Sequence, residues 1–557
     1  MFQKFFRAVV GTNNVDFAGG AAVRGLPTGL SAIADIAKSD LIVLVGCDPS
    51  EAAPLLDLHI KRAVRRAGAK LLIIHPRRIE LARYTPIKGA YLPVLPGNEA
   101  VLLEELVAAV QVGKSANQQI NKSANRKSQI EVTQYAISRS IPVGRSTQFA
   151  PAIELLTAAK SPLFIYGPDA ATGERGRATV AALAGLANAL GQGDKLAYIG
   201  AGANEQGARD MGLLPDALPG HAAVADAAVR ERLGKLWGVH PPAEAGQTYA
   251  QMVVGRVKGL FVMGENPAAQ SVVAEALRKL DFLVVQDLFL TETAQLADVV
   301  LPACSFAEAD GTYTNLERRV QRGPQGIRAV GESKPDWAIL AGLAEKWLAA
   351  ESRGDPLRSP EAGQAQGIAP TDLPDWKRKK RKVKTGPAPK PWNYPTAQAV
   401  LEEIGKAAPP YTALRWEALG EGGIQWPVSA LARAPRKPEP ATAAPVAAPA
   451  PGSLLLVSGP LLWDGGLFMQ HVPEQVRQLT PAPFVALNGA DLAATKLAEG
   501  SQVIVTSPHG SVSLTLKTDA SVQPGTAWIP ANLAGLPAET LGAGLGETVS
   551  VIVKVVA

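Results

Sequence analysis

The stretch Asp40-LIVLVGCD-Pro49 sets the fold class that we expect for this protein. Its apolar run reaches Gly46 without a polar interruption, which is typical of a strand buried on both faces in a parallel sheet. A helix is expected from Pro49, because apolar residues recur at helical spacing until Gly68, a residue suited to a C-terminal cap. A second buried strand, Lys70-LLIIH-Pro76, follows. The stretch therefore predicts a strand–helix–strand unit with a right-handed crossover.

The same plan recurs in two other parts of the sequence. One copy begins with Val257-KGLFVMGEN-Pro267, continues as a helix to about residue 280 and ends in the strand Asp281-FLVVQ-Asp287. The other has strands at 163–167 and 195–200 and a helix at 178–190. This repetition predicts related Rossmann-like α/β subdomains. Strand-end loops that precede helices bind nucleotide-like anions, because unpaired backbone N–H groups and the helix dipole point there.

The C-terminal part differs in composition from the repeated units. A Pro/Ala-rich stretch at 432–451 predicts an extended linker. Short alternating runs after Ser453, separated by turn signals, predict a small β-barrel or sandwich. We therefore expect an α/β body with a C-terminal β-barrel. The predicted domains are an α/β domain at 1–40 and 195–350, an inserted Rossmann-like domain at 41–194 with a polar insertion at 113–146, a variable segment with the linker at 351–452, and the barrel at 453–557.

Composition excludes several classes of protein. The 557 residues are 47% hydrophobic and 19% charged, an ordinary globular balance, and no apolar run approaches the ~18 residues of a membrane span. Two cysteines, Cys47 and Cys304, cannot build a disulfide framework or a four-cysteine zinc or iron–sulfur site within this chain, and we favour buried apolar positions for both. The six histidines contain no pair at i, i+4 spacing, so we expect no metal site from them.

Charge and the first residues bear on location and partners. The formal net charge is +6, and much of the excess lies in the run Lys377–Lys382. Aromatic residues flank this run only at Trp376 and Trp392, so we favour a solvated loop, in contact at most with an acidic partner subunit, over a nucleic-acid site. The N-terminal sequence has neither a twin-arginine pair nor a signal-peptide core, and we expect a cytoplasmic protein.

Four segments resemble one known family, the molybdopterin oxidoreductase superfamily. They are Gly46-CDPSEAA-Pro54, Gly264-EN-Pro267, Gln286-DLFLTETAQLADVVLP-Ala303 and Phe306-AEADGTYTNLERRV-Gln321. Within the superfamily, the chain is most similar to the G-type subunits of NADH-quinone oxidoreductases (respiratory complex I). That finer resemblance depends on Phe2-QKFFRAVVGTNNV-Asp16 and Leu461-LWDGGLFMQHVP-Glu474. It covers roughly residues 1–345 and 453–557.

The resemblance implies a site for a molybdopterin guanine dinucleotide and a C-terminal barrel that closes over it. Asp48 and Asp287 would accept hydrogen bonds from ribose or guanine, and Asn315 would contact a polar edge of the ligand. The turns at Gly46 and Gly264 also have a purely structural interpretation, in which Asp48 and Asn266 cap helices. We favour this interpretation. The implied cofactor-binding residues are Gly46, Asp48 and Pro49 on one side, Gly264, Glu265, Asn266, Pro267, Asp287, Thr291 and Glu292 on the other, and Asn315.

The chemistry of the family requires more than these loops. The resemblance implies a cysteine, selenocysteine, serine or aspartate ligand to the metal just after the Thr-Asn-Asn stretch. Residues 12–25 contain neither cysteine nor serine, and Asp16 precedes the ligand position. An upstream iron–sulfur domain is absent from the sequence, so it is either a separate polypeptide or a part lost from a fragment that begins at an internal methionine. We expect no catalytic or metal-binding residue, no iron–sulfur cluster in this chain, and a vestigial dinucleotide site.

These observations lead to three functional hypotheses. The first is a non-catalytic subunit in the peripheral arm of NADH:quinone oxidoreductase, with the NADH-binding and iron–sulfur subunits as partners, no nucleic acid, and contact with the membrane only through the complex. The alternative is an active subunit that binds molybdopterin guanine dinucleotide, with iron–sulfur clusters supplied by another chain. The third is a stand-alone nucleotide-binding protein.

Overall fold

The structure is a computed structural model. It describes residues 1–18, 33–120, 146–171, 173–193, 195–200, 202–352, 392–425, 444–462, 469, 472, 474–495, 497–533, 535, 537–543 and 548–555. The basic run Lys377–Lys382, most of the polar insertion and much of the linker lie outside the described residues.

A five-stranded parallel sheet forms the first α/β unit. Its strands are β1 (Leu41–Val45), β2 (Lys70–His75), β3 (Gly89–Pro93), β4 (Pro162–Tyr166) and β5 (Leu196–Tyr198), in the order β3-β2-β1-β4-β5. Every residue of β1 is buried, because helices cover both faces of the sheet. The order reverses between β1 and β4, so the first and third sequence repeats share one sheet.

The helix that we expected from Pro49 to Gly68 is interrupted. Pro49–Ala52 and Pro54–Arg62 are separate helices, and Ala53 between them is not helical (φ −151°, ψ 72°). Proline disfavours helical geometry in the residue before it, which accounts for the break. The helical segment Ala63–Ala67 continues the second helix and ends at Gly68, which has a φ of 80°, as predicted.

The second α/β unit contains a three-stranded parallel sheet. Two short strands, β6 (Ala217–Leu218) and β7 (Ala222–Ala223), precede it, and its members are β8 (Gly259–Met263), β9 (Phe282–Asp287) and β10 (Val299–Pro302), in the order β10-β9-β8. An antiparallel sheet of β11 (Gly311–Thr314), β12 (Arg319–Gly323) and β13 (Ile424–Gln425) follows.

A closed six-stranded barrel forms the C-terminal part, as the sequence predicted. Its strands are β14 (Leu454–Val457), β15 (Phe484–Leu487), β16 (Gln502–Thr506), β17 (Ser511–Thr518), β18 (Thr526–Trp528) and β19 (Ser550–Val555). Pairing follows the order β14-β18-β15-β17-β16-β19, and β19 returns to β14. The α/β body with a C-terminal barrel is therefore confirmed.

The helices connect and cover these sheets. None of those in the described ranges is long and apolar enough to span a membrane. Their bounds are Phe2–Lys4, Phe5–Val10, Ile33–Lys38, Pro49–Ala52, Pro54–Arg62, Ala63–Ala67, Glu80–Tyr84, Thr85–Lys88, Glu99–Ile120, Ser146–Ala158, Pro168–Ala171, Gly173–Ala189, Glu205–Asp210, Ala227–Trp237, Tyr249–Gln251, Met252–Arg256, Pro267–Ala269, Ser271–Leu277, Glu292–Gln295, Asp336–Ser352, Ala397–Ala407, Pro409–Tyr411, Trp416–Leu419, Glu474–Arg477, Gly489–Thr495 and Pro537–Thr540.

The barrel docks on the carboxyl end of the five-stranded sheet. Arg77, just after β2, forms a β-bridge with Val522, and the Arg78 N–H donates to the Ser521 carbonyl (2.7 Å). The Asn98 side chain binds the backbone of Val446 through two hydrogen bonds, which tie the end of the linker to the same part of the body.

Candidate functional site

Two sheet edges contain most of the predicted site residues. We define the first edge as the carboxyl ends of β1–β5 with the loops that follow them, and the second edge as the corresponding ends of β8–β10. Ligands of open α/β sheets bind at such edges, where the strand order reverses and helix N-termini point outward.

Asp48 lies at the first edge and is fully engaged by the protein. It caps the helix that begins at Pro49, because one carboxylate oxygen accepts hydrogen bonds from the Ser50 N–H and hydroxyl. The other oxygen pairs with the Arg77 guanidinium at 2.8 Å. Asp48 is 6% exposed, so this ion pair is largely shielded from water.

Arg77 also connects this edge to the barrel. Its guanidinium carbon lies 4.2 Å from the centroid of the Trp528 ring, at the end of β18, which is the distance of a cation–π contact. The Gln523 side chain lies 3.4 Å from the carbonyl oxygens of His75 and Val94, at the ends of β2 and β3. The first edge therefore serves as the seat of the C-terminal barrel.

Gly46 is required here by close packing. Its φ of 51° is left-handed, and a Cβ at this position would stand 2.2 Å from the Cβ of Ala170, in the helix after β4. A Cβ on Gly167 would likewise stand 2.6 Å from that of Cys47. The turn at Gly46 is thus in contact with protein at the point where the strand order reverses.

A buried ion pair fills the other side of the first edge. Arg209 pairs with Glu205 at 2.8 Å, and both side chains are more than 90% buried. The guanidinium carbon of Arg209 lies 4.3 Å from the Tyr198 ring centroid and 5.6 Å from that of Phe17. The adjacent Tyr166 ring is also buried, and burial raises the pKa of its hydroxyl to about 12.

Asp16, the acidic residue nearest to the expected metal-ligand position, is also bonded within the protein. One carboxylate oxygen accepts from the Phe17 N–H at 3.0 Å and the other from the Tyr249 N–H at 2.8 Å. Burial raises its pKa to about 7. Both oxygens therefore have backbone donors, an arrangement that suits a structural carboxylate better than a metal ligand.

The second edge is open where the first is packed. Gly264 has a left-handed φ of 63°, but a Cβ there would meet no atom of the described residues within 4 Å. Asp287 is 5% exposed, and its Oδ2 atom is buried with no hydrogen-bond partner among the residues that the structure describes. Burial, followed by the nearby charge of Asp287, raises the pKa of Glu265 to about 7. Neither acid forms an ion pair within the described part of the chain.

The remaining predicted residues of the second edge hold its two loops together. Asn266 accepts hydrogen bonds from the N–H and hydroxyl of Thr293 and donates to Glu292 at 2.7 Å. Thr291 caps the helix that begins at Glu292, and Pro267 occupies the first turn of its own short helix. The structure therefore brings Gly264–Pro267 and Asp287–Glu292 into one cluster.

Asn315 lies away from that cluster. It is in the turn between β11 and β12, where its side chain accepts hydrogen bonds from the backbone of Glu317 and Arg319. The neighbouring Leu316 packs against the core of the five-stranded sheet. Asn315 stabilises its own turn, and a ligand contact for it stays a prediction, as it does for the other ten residues.

Sequence reasoning missed the residues that fill the first edge. Arg77 had a detectable signal, since it follows β2 directly, in a strand-end position like that of Asp48 after β1. Arg209 and Glu205 stand at i, i+4 spacing on one helix, but a pair of this kind is usually exposed, and nothing local indicates burial. The two cysteines are both buried, as expected.

The two edges differ in how they fit the dinucleotide that the sequence resemblance implies. At the first edge both Asp48 oxygens already bind protein donors, and the space beside Gly46 is taken by Ala170. At the second edge the space beside Gly264 and the unpartnered Asp287 oxygen fit a polar ligand. The described residues contain no group of three histidine, cysteine or carboxylate side chains with metal-binding geometry.

Comparison with known families identifies two regions of the chain. The profile described as "Molybdopterin oxidoreductase" matches residues 1–346, and the one described as "Molydopterin dinucleotide binding domain" matches residues 454–553. The second match coincides with the six-stranded barrel.

Curated relatives include both formate dehydrogenases and a subunit of NADH-quinone oxidoreductase. The chain is 29% identical to "Probable oxidoreductase YjgC" of Bacillus subtilis over 98% of this chain and 55% of that protein. It is 32% identical to "F420-dependent formate dehydrogenase 1 subunit alpha" of Methanococcus maripaludis over 77% of this chain and 60% of that protein. A G-type subunit of NADH-quinone oxidoreductase from Rhizobium meliloti is 28% identical over 97% of this chain and 59% of that protein. The chain thus spans little more than half the length of these relatives.

A solved structure shares the fold. "Acetylene Hydratase from Pelobacter acetylenicus" superposes with a TM-score of 0.59 over 95% of this chain and 77% of that one, at 16% sequence identity. The family profile covers more than half of the 557 residues. This protein belongs to the molybdopterin oxidoreductase family.

Proposed function

We propose that this protein is a non-catalytic member of its family that acts as a structural subunit of an NADH:quinone oxidoreductase. In that assembly it would form part of the peripheral arm on the cytoplasmic side of the membrane. Its partners would be the NADH-binding and iron–sulfur subunits. A G-type subunit of such an enzyme is similar to this protein along nearly the whole chain, which supports the proposal.

The observation that carries the proposal is the filling of the first edge by the protein's own cations. Arg77 is held between Asp48 and Trp528, and Arg209 is paired with Glu205 beside Tyr198. A buried guanidinium paired with a carboxylate is costly to displace, because its removal leaves an uncompensated charge in a region of low dielectric constant. This edge is therefore built to hold the barrel on the body.

A second candidate function is favoured by the second edge. Gly264 and Asp287 would hold the dinucleotide part of a pterin cofactor, which supplies a molybdenum or tungsten redox centre when it is bound. The open space at Gly264 and the unpartnered Asp287 oxygen support this alternative. Formate dehydrogenases among the relatives are consistent with it. The iron–sulfur clusters would then come from another chain.

Native purification distinguishes the two candidates. The chain would be isolated from its source under mild conditions, and the co-purifying proteins, molybdenum, tungsten and acid-released guanine nucleotide would be measured. We expect NADH-quinone oxidoreductase subunits, with metal and nucleotide far below one per chain. Stoichiometric guanine nucleotide with molybdenum or tungsten would instead support the second candidate. An assembly without NADH-quinone oxidoreductase subunits would contradict the first.

A further inference from the structure

A cavity of about 280 Å³ lies at the amino end of β8, the end opposite to Gly264. The N-terminal segment, residues 2–16, forms one wall, and the segment from Met252 to Phe261 forms the other. Of the candidate-site residues described above, Asp16 is the one that lines this cavity. The N-terminal wall is the same Phe2–Asp16 motif that suggested a complex I subunit, and the proposed function gives this motif no task.

The floor of the cavity is aromatic. The rings of Phe2 and Phe6 have centroids 4.7 Å apart, and each meets the Phe261 ring edge to face, at 5.9 and 5.8 Å. All three side chains are only partly buried, although they belong to a hydrophobic cluster. A ligand with an aromatic ring can therefore contact their accessible faces edge to face, a geometry that aromatic pairs prefer.

Two cations border the same cavity. Arg256 and Lys258 both line it and are both exposed, and neither forms an ion pair in the part of the chain that the structure describes. Hydrogen bonds fix the backbone at both positions, because the Arg256 carbonyl accepts from the Gln247 side chain at 3.1 Å and the Lys258 carbonyl accepts from the Asp281 N–H at 2.8 Å.

One acidic group also faces the cavity. Asp16 lines the wall opposite the cations, and its two oxygens accept the backbone N–H bonds of Phe17 and Tyr249. Those bonds compensate its charge locally. The uncompensated charges that line the cavity are therefore the two cations, and they favour the binding of an anion.

We propose that this cavity binds a small aromatic carboxylate, with the ring on Phe2, Phe6 and Phe261 and the carboxylate between Arg256 and Lys258. Size supports this class of ligand, since an apolar protein cavity of about 150 Å³ holds one benzene molecule. The remaining volume accommodates a short acidic arm. This accessory site is independent of the proposed subunit role.

Calorimetric titration of the full chain with 3-phenylpropionate tests the site. We expect saturable one-to-one binding with a Kd on the order of 1 mM, since ligands of this size gain only modest affinity. The neutral isostere 3-phenylpropan-1-ol should bind about tenfold more weakly, because it loses the charge-assisted contacts. Equal affinity for the alcohol would mean apolar binding only and would overturn the proposal.

Paired variants locate the binding on the protein. The double substitution R256Q/K258Q, which changes only exposed side chains, should weaken 3-phenylpropionate binding about tenfold and leave the alcohol unaffected. Its matched control is R278Q/K279Q, an exposed Arg-Lys pair in the same α/β unit that does not line the cavity. Absence of saturation at about 20 mM ligand, roughly twenty times the expected Kd, or full affinity in R256Q/K258Q, would each refute the site.

Discussion

The two Gly-x-Asp/Asn-Pro turns share a sequence pattern and have opposite surroundings. At Gly46 the turn is packed against Ala170, and its acid is bound by Arg77; at Gly264 the turn is open, and its acids lack cationic partners among the described residues. The pattern itself accounts for what is common, a left-handed glycine followed by the start of a helix. The packing and ion pairing around each turn depend on residues distant in sequence, so a local motif does not identify a ligand site.

Arg209→Ala should have the largest effect, because it removes a cation that fills the first edge. Loss of the Glu205–Arg209 pair leaves Glu205 buried without its partner, and we expect the free energy of unfolding to fall by about 3–5 kcal/mol. Urea denaturation measures the change. The matched control is Lys235→Ala, which breaks the exposed i, i+4 pair with Glu231 and should change stability by about 0.5 kcal/mol or less. An equal loss of unfolding free energy in both variants would show that burial does not make the Glu205–Arg209 pair more important than an exposed ion pair.

The substitutions Gly46→Ala and Gly264→Ala compare how much space each turn has for a Cβ. Gly264→Ala adds only left-handed strain and should cost about 1 kcal/mol. Gly46→Ala adds the same strain plus a steric clash with Ala170, including its backbone, and should cost about 3 kcal/mol. Thermal and urea unfolding of the two variants provide the comparison. A similar cost at both positions would mean that the first turn has room for a Cβ.

Arg77→Ala tests the contact between the first edge and the barrel, and it should lower the free energy of unfolding by about 2 kcal/mol. The variant loses the hydrogen-bonded ion pair with Asp48 and the contact with Trp528. Hydrogen exchange should accelerate around residues 519–528 more than in β1. Arg78→Ala is the control, since Arg78 is exposed and binds Ser521 through its backbone. Unchanged exchange in the Arg77 variant would contradict the assigned role.

Glu265→Gln should have the smallest effect, and one that depends on pH. A folded-state pKa of about 7, above the unfolded value of about 4.5, means that folding favours the protonated acid. The stability that this group contributes is thus fully present below about pH 4.5 and is lost as the pH rises through 7. The glutamine should therefore leave stability unchanged at pH 4.5 and raise it by about 1 kcal/mol at pH 8, after allowance for solvent screening.

Urea midpoints across that pH range measure the difference between Glu265→Gln and the parent. Other groups with raised pKa values, such as Asp16, cancel in this difference. Glu275→Gln, at an exposed helix position, is the control and should give a flat difference curve. A flat curve for Glu265→Gln as well would mean that the carboxylate at the second edge is fully hydrated.

Much of the architecture was predictable because it depends on short-range patterns. The runs at β1, β2 and β9 are apolar and bounded by glycine, proline or charged residues, and the structure has these strands within one or two residues of the prediction. Strand β3 was missed, since Gly89–Pro93 is short, contains proline and lies at the sheet edge, where the apolar signal is weak. The break at Ala53 was also missed, although Pro54 was visible in the sequence.

The site was less predictable because its residues are distant in sequence. Asp48 could be identified as a strand-end acid, but its partner Arg77 stands 29 residues away, and the tryptophan that covers Arg77 belongs to the barrel. Glu265 and Asp287 were identified with equal ease, yet they have no cation beside them among the described residues. No local pattern distinguishes an acid that will be paired from one that will not.

The sequence by itself determined the repeated strand–helix–strand units and the barrel, because periodic apolar runs and turn residues act over a few positions. The family followed from the resemblance of the four quoted segments to the molybdopterin oxidoreductases. Only the tertiary structure decided that Arg77 and Arg209 fill one carboxyl edge while Gly264 and Asp287 leave the other open. The physical reason is that burial and ion pairing depend on which remote side chains share a desolvated space, and this is fixed only when the sheets and the barrel pack together.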